Sequence, residues 1–228
     1  MNNAMRTTLV ASVLCLSSQV QASTLSFFCI TNTNAGDCTI GANQLSVEVS
    51  NPSSNHVNFK FLNNVGATSS ITEIYFDAGQ SSLSSPLAIT DSDGIGTTVA
   101  FSPNANPGIL PGGNSIIPPF TVSNTTVFTA DSDAGQGGQM AHGVNAANEW
   151  LIMDYTLQSG KSFNDVLTEL SNGKLRIGMH ITGYASGGSE SFVNSPGEPP
   201  NIIPVPAAVW LLGSGLLGLL GVARRKMA

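Results

Sequence analysis

Basic residues are almost missing from the middle of this chain. Between Ser23 and Ile203 there are four, Lys60, Lys161, Lys174 and Arg176, against all 14 acidic residues of the protein. The formal charge of that stretch is therefore −10. A field of that sign argues against nucleic acid and anionic lipid as partners. Charged residues of either sign make up only 10% of the chain, while Ser, Thr, Asn and Gly are plentiful. That balance suits a secreted all-β domain better than a cytosolic helical one. No phosphate loop, dinucleotide fingerprint or zinc spacing occurs, so no cofactor is expected. The three histidines, His56, His142 and His180, are scattered along the chain.

What is present is concentrated at the ends. Arg6 gives a positive start, residues 9–16 are an apolar run, and Val20-Gln21-Ala22 places small residues at a cleavage position. Residues 1–22 therefore read as a secretory signal peptide cut between Ala22 and Ser23. Cys15 follows Leu14, where a lipoprotein needs a small residue. Cys15 leaves with the signal, and Cys29 and Cys38 remain for an oxidising compartment. The turn-rich residues between them suit a disulfide. In the chain-entropy model so short a loop contributes about 2–3 kcal/mol.

At the other end, residues 204–228 read P-V-P-A-A-V-W-L-L-G-S-G-L-L-G-L-L-G-V-A-R-R-K-M-A. Residues 207–223 carry no charge, and as a helix they would rise about 25 Å, a little under a hydrocarbon core. Arg224, Arg225 and Lys226 form a positive stop that stays cytoplasmic. Proline motif, apolar helix and basic tip in this order resemble the PEP-CTERM sorting signal of Gram-negative bacteria. The run from Pro204, Val205, Pro206 and Ala207 through Ala208-Val209-Trp210-Leu211 looks like its VPxPA variant. Val205 stands where the commonest pattern has glutamate.

The resemblance implies a fate. Such a protein is exported by the secretion machinery and held briefly in the inner membrane by its C-terminal helix. It is then passed to exosortase, a membrane-embedded cysteine transpeptidase-like enzyme associated with exopolysaccharide production. The implied destination is the cell surface or extracellular matrix, with extracellular polysaccharide as a further partner. An ordinary C-terminal membrane anchor is the plainer alternative.

The body, residues 23–194, reads as a single antiparallel β-sandwich domain. Leu45, Val47 and Val49 alternate with polar residues, as do Val57, Phe59 and Phe61. Residues 51–55 between them form a hairpin loop. Residues 71–76, 87–90, 97–101 and 126–130 are further strand candidates. Leu151, Met153, Tyr155 and Leu157 continue the period of two, and Leu175, Ile177, Met179 and Ile181 show it most cleanly. One short helix is expected after Ser162, with Asp165 completing a near capping box and Gly173 closing it. Residues 102–119 read as an extended surface connection and 131–143 as a mobile loop. Residues 195–203 read as a Pro/Gly spacer before the sorting signal, 204–228.

Candidate chemistry in the body is weak. Asp91-Ser92-Asp93-Gly94 and Asp131-Ser132-Asp133 begin like calcium loops, but Ile95 and Ser102, or Gly135 and His142, stand where an EF-hand needs ligands. A looser site from Asp77, Asp91 and Asp93 is a weak alternative to ordinary Asx turns. Ser189 and Ser191 lie in a Gly-rich run that fails the nucleophile-elbow spacing. Glu149, Asp154, Glu169 and Glu190 are candidate paired carboxylates for glycoside hydrolysis. Trp150 and Tyr155 fit a core better than a sugar platform. The expectation is a non-enzymatic, exosortase-processed surface or matrix protein with a role in adhesion or biofilm. The alternative is a secreted carbohydrate-binding or carbohydrate-active domain.

Overall fold

The computed structural model describes residues 22–64, 66–92, 98–132, 140–194 and 201–203. Two six-stranded antiparallel sheets form a sandwich. Sheet A runs in the order β12 (Asn201–Ile203), β1 (Ala22–Leu25), β3 (Leu45–Ser50), β4 (His56–Asn63), β9 (Trp150–Leu157) and β6 (Leu83–Asp91). Sheet B runs β2 (Phe27–Cys29), β11 (Glu190–Asn194), β10 (Arg176–Thr182), β5 (Ser70–Asp77), β8 (Thr129–Asp131) and β7 (Ser102–Pro103). The expected all-β sandwich is therefore present.

Alternation builds sheet A. Successive side chains of a strand point to opposite faces, and β3, β4 and β9 each alternate buried with half-buried residues. Val49 faces Phe59 across β3 and β4, and Phe59 faces Met153 across β4 and β9. Their inward side chains meet those of β5 and β10. Phe76 stands edge-on to Phe59 at 5.1 Å and to Tyr155 at 5.3 Å between ring centres. Such aromatic pairs add about 0.5–1.5 kcal/mol each beyond burial. The Tyr155 hydroxyl satisfies itself by donating to Val127 O at 2.9 Å.

The expected helix is α3 (Phe163–Asn172). Ser162 and Asp165 close a full capping box, and Gly173 ends the helix at φ 76°. Phe163, Val166, Leu167 and Leu170 are its buried stripe.

Several expectations need correction. The sandwich has more than one helix: α1 (Ala35–Gln44) and the single turn α2 (Thr125–Phe128) accompany α3. Asn34 caps α1 by accepting from Gly36 N and Asp37 N, so Cys38 lies on a helix, not in a loop. Residues 126–128 are helical, and only Thr129–Asp131 form the strand. Among residues 97–101 the described ones, 98–101, form no strand. The end of the expected spacer is strand β12, paired with β1. The expected signal before Ala22, residues 133–139 of the expected loop, Asp93 and the expected membrane helix at 207–223 lie outside the described residues. Among those described, no helix is long and apolar enough to cross a membrane.

Residues 102–120 are not a loose connection either. They roof the outer face of sheet B, where Tyr75, Ala105, Leu110, Phe120 and Val193 form a second buried cluster. Gly178 makes room for that roof. A Cβ there would sit 2.6 Å from Leu110 Cδ2 and 3.1 Å from Phe120 Cζ.

Candidate functional site

The two ends of the described body lie side by side. In sheet A, β1 sits between β3 and β12. Ala22 pairs with Ser50 on one side and Ile203 on the other, and Ser23 pairs with Val49 and Ile202. Ala22 is half-exposed, while Ser23 points inward and is only 2% exposed. The expected signal cut, between Ala22 and Ser23, falls inside this strand. The residue before the expected sorting motif, Ile203, is the last one paired in β12. The motif itself, Pro204, Val205, Pro206 and Ala207 with Arg224, Arg225 and Lys226, lies outside the described residues.

The disulfide is present. Cys29 at the end of β2 is joined to Cys38 on α1, with 5.4 Å between Cα atoms. The chain crosses from sheet A to sheet B between β1 and β2 and returns through α1 to β3. The bridge therefore ties the crossing together. Glu190 braces it from β11. Its carboxylate accepts from Thr33 N at 3.1 Å, Asn34 N at 2.6 Å, the Thr33 hydroxyl at 2.6 Å and the Thr31 hydroxyl. Burial pushes the Glu190 carboxyl upward. The hydrogen bonds from Thr31, Thr33 and Asn34 outweigh it and hold the pKa below the ordinary value. Cys29, Cys38 and Glu190 are the one cluster of three metal-ligating residue types among the described residues. With the two sulfurs bonded to each other, no thiolate remains for a metal.

A polar row crosses the roofed face of sheet B. Register places Ser191, His180, Glu73 and Asp131 opposite one another on β11, β10, β5 and β8. His180 Nδ1 meets Glu73 Oε2, and Asp131 Oδ2 accepts from Asn106 N at 3.0 Å. This order of side chains resembles a Ser-His-acid triad. Ser191 defeats that reading, because it is 0% exposed and its hydroxyl has no hydrogen-bond partner. Although it is the cross-strand partner of His180, its hydroxyl makes no hydrogen bond to that ring. Beside this row, burial, then the nearby Glu73 and Asp131 charges, push the Tyr75 phenol far upward. Its hydroxyl donates to Pro107 O at 2.9 Å.

Among the described residues, the calcium candidates Asp77 and Asp91 are not brought together. Asp77 ends β5 in sheet B and holds Arg176, while Asp91 ends β6 in sheet A. Arg176 also donates to Pro118 O and Pro119 O, so this ion pair locks the roof down. The remaining carboxylates are likewise committed. Glu149 accepts from Asn145 N and Ala146 N, and Glu169 from Ser82 N and the Ser82 hydroxyl. Asp154 faces His56 at 3.5 Å across the open face. Burial raises its pKa despite that partner.

Tyr155 is fully buried, as expected of core. Trp150 is half-buried on the open face of sheet A, with Lys60 Nζ 5.9 Å from its ring centre. A cleft of about 230 Å³ opens between β6 and the β7–β8 edge, lined by Pro86, Ile89, Phe101, Val127 and Met153 among others. Its lining is mostly apolar, with Thr126 and Thr129 as its hydroxyl side chains. Compared with protein families, curated proteins and solved structures, the chain matches none.

Proposed function

We propose that this is an exported, exosortase-processed surface or matrix protein of a Gram-negative bacterium. It acts by adhesion or by joining the polymer layer, without catalysis of its own. The observation that carries this reading is the pairing of Ala22 with Ile203. It brings the two ends of the described body together at one side of sheet A, as suits a domain handed outward and then parked by its tail. The oxidised Cys29–Cys38 pair fits an exported chain. The engagement of Glu149, Glu169 and Glu190 in internal hydrogen bonds supports a non-catalytic body.

Mass spectrometry of the protein from native cells tests the reading at both ends. The expected product starts at Ser23 and lacks Arg224, Arg225 and Lys226. A product that keeps both ends in the cytosol overturns it.

Trp150, half-buried on the open face of sheet A, favours the carbohydrate-binding alternative, since a partly accessible ring there suits sugar stacking. Selective retention of the full chain on a polysaccharide, lost in Trp150→Ala, would establish that activity.

A further inference from the structure

Three connections meet beside the end of β10: residues 66–70 leading into β5, residues 140–145 before β9, and the turn that begins at Gly183. Between them lies a cavity of about 360 Å³, lined by Thr68, Ser69, Ser70, Met140, Asn145 and Gly183, with Ala141 next to Met140. That volume falls within the range of small-ligand sites, about 300–1,000 Å³. We infer that this cavity binds one uncharged sugar ring of a polysaccharide.

The walls are held from behind. Ser69 Oγ accepts from Gln44 Nε2 and Asn63 Nδ2, both at 3.1 Å. Gln44 Oε1 in turn accepts from Gly66 N at 3.0 Å and Ala67 N at 2.6 Å. On the other side, Met140 O accepts from the Ser70 hydroxyl at 3.0 Å and Asn145 Nδ2 at 2.8 Å. Ile71 and Val144 exchange both backbone hydrogen bonds at 3.1 Å and tie the two walls together. Gly183, at φ 75°, leaves room for the Met140 side chain, since a Cβ there would sit 2.6 Å from Met140 Sδ. Walls fixed in this way spare a ligand the cost of ordering them.

The polar groups facing the cavity are neutral and still have capacity. Among the described residues, the Thr68 hydroxyl and Asn145 Oδ1 have no hydrogen-bond partner, and Ser70 Oγ, already donating, can still accept. A sugar ring matches that set. Its hydroxyls donate to Asn145 Oδ1 and Ser70 Oγ and exchange with Thr68, while its C–H face packs on the Met140 thioether and the Ala141 methyl. None of the lining residues is charged, so a uronate or sulfated ring gains no ionic partner. The formal charge of −10 over residues 23–203 repels an anionic polymer as a whole. The site shares no residue with the Trp150 face and does not depend on the sorting reading.

The test offers the full chain to immobilised neutral oligosaccharides (of glucose, mannose, galactose or N-acetylglucosamine) and to uronate-containing ones. Retention is expected on a neutral glycan. Thr68→Val keeps the side-chain shape but removes the hydroxyl at an exposed position, and should weaken binding about five- to tenfold. Ala141→Trp, also at an exposed position, fills the cavity and should abolish binding. Trp150→Ala should leave binding unchanged. Thermal melts check that each variant is folded, and Thr68→Val decides the matter where Ala141→Trp is not. No retention on any neutral glycan overturns the inference, as does preference for uronates or undiminished binding by Thr68→Val. Loss confined to Trp150→Ala also overturns it and moves the site to the open face of sheet A. Uncut termini in native cells would remove the export reading and leave this inference standing.

Discussion

The two sheets of this sandwich meet water differently. The outer face of sheet A is open, and its residues Ser46, Glu48, Asn58, Lys60, Ile152 and Asp154 are all half-buried. The outer face of sheet B is roofed by residues 102–120, and β5 is buried along all but its last residue. An open face tolerates loose polar pairing between side chains that keep part of their surface in water. A roofed face gives most of its polar groups internal partners, because an unpartnered buried group costs about 1–3 kcal/mol; the Ser191 hydroxyl is left without one. The ion pairs follow that division. Lys60 and Glu48 stand 3.6 Å apart on the open face with much of each side chain in water. Arg176 is 7% exposed and reaches Asp77 and two roof carbonyls.

Substitutions at these places test the contrast. The largest effect should come from Arg176→Ala, which leaves Asp77 and the roof carbonyls without their donor. Breaking a buried pair from one side costs about 3–5 kcal/mol, measurable as a fall in the urea midpoint. A loss under about 1 kcal/mol would mean the roof is not held by this residue.

Next comes Glu190→Gln, which replaces a carboxylate serving two backbone amides and two hydroxyls. The expected loss at neutral pH is about 2–3 kcal/mol. The pH dependence has a definite sign. The folded pKa of Glu190 lies below its ordinary value of 4.5, so the carboxylate contributes its stability above that value. The contribution fades as pH falls through the folded pKa. Thermal melts should therefore show wild type and Glu190→Gln converging as the solution is acidified below about 4.5.

Gly178→Ala should cost less, about 1–3 kcal/mol, because the new methyl collides with Leu110 and Phe120. Its mark should be faster proteolysis within residues 102–120 while the strands stay protected. Lys60→Ala on the open face should change stability by under about 0.5 kcal/mol. A larger loss there would erase the distinction between the faces.

The same contrast decides what the sequence could reveal. One-sided burial writes a period of two, so Leu45 to Val49, Val57 to Phe61 and Leu151 to Leu157 announce themselves. Two-sided burial erases it, and β11, buried at all five positions, carries no such signal. β10 is the instructive mixture. Its inward Ile177, Met179 and Ile181 are plain, but nothing local shows that Arg176 and Gly178 on the other side are buried too. The roof reads as a loop because prolines and glycines interrupt it, and its apolar anchors Leu110 and Phe120 follow no strand or helix period. Helix α3 was legible from its cap and stripe. Helix α1 was not, because residues 35–44 are small and polar and present no stripe. Asn34, a good capping residue, was the one cue.

The site divided along similar lines. Cys29 and Cys38 are close in the chain and could be paired from composition and compartment. The bracing Glu190 lies more than 150 residues from the loop it serves, and only the fold joins them. Ser191 and His180 were likewise visible as residues but not as neighbours across β11 and β10.

Ala22 and Ile203 sit opposite each other on antiparallel neighbours, which sets how the molecule bears mechanical load. Tension applied between its two ends would strain the rungs one after another, as in a zipper, instead of shearing them all at once. Pull on the tail alone enters through a three-residue strip, which should yield while the rest of the sandwich keeps its shape. A domain tethered in moving fluid would then have a compliant stem beneath a stiff head.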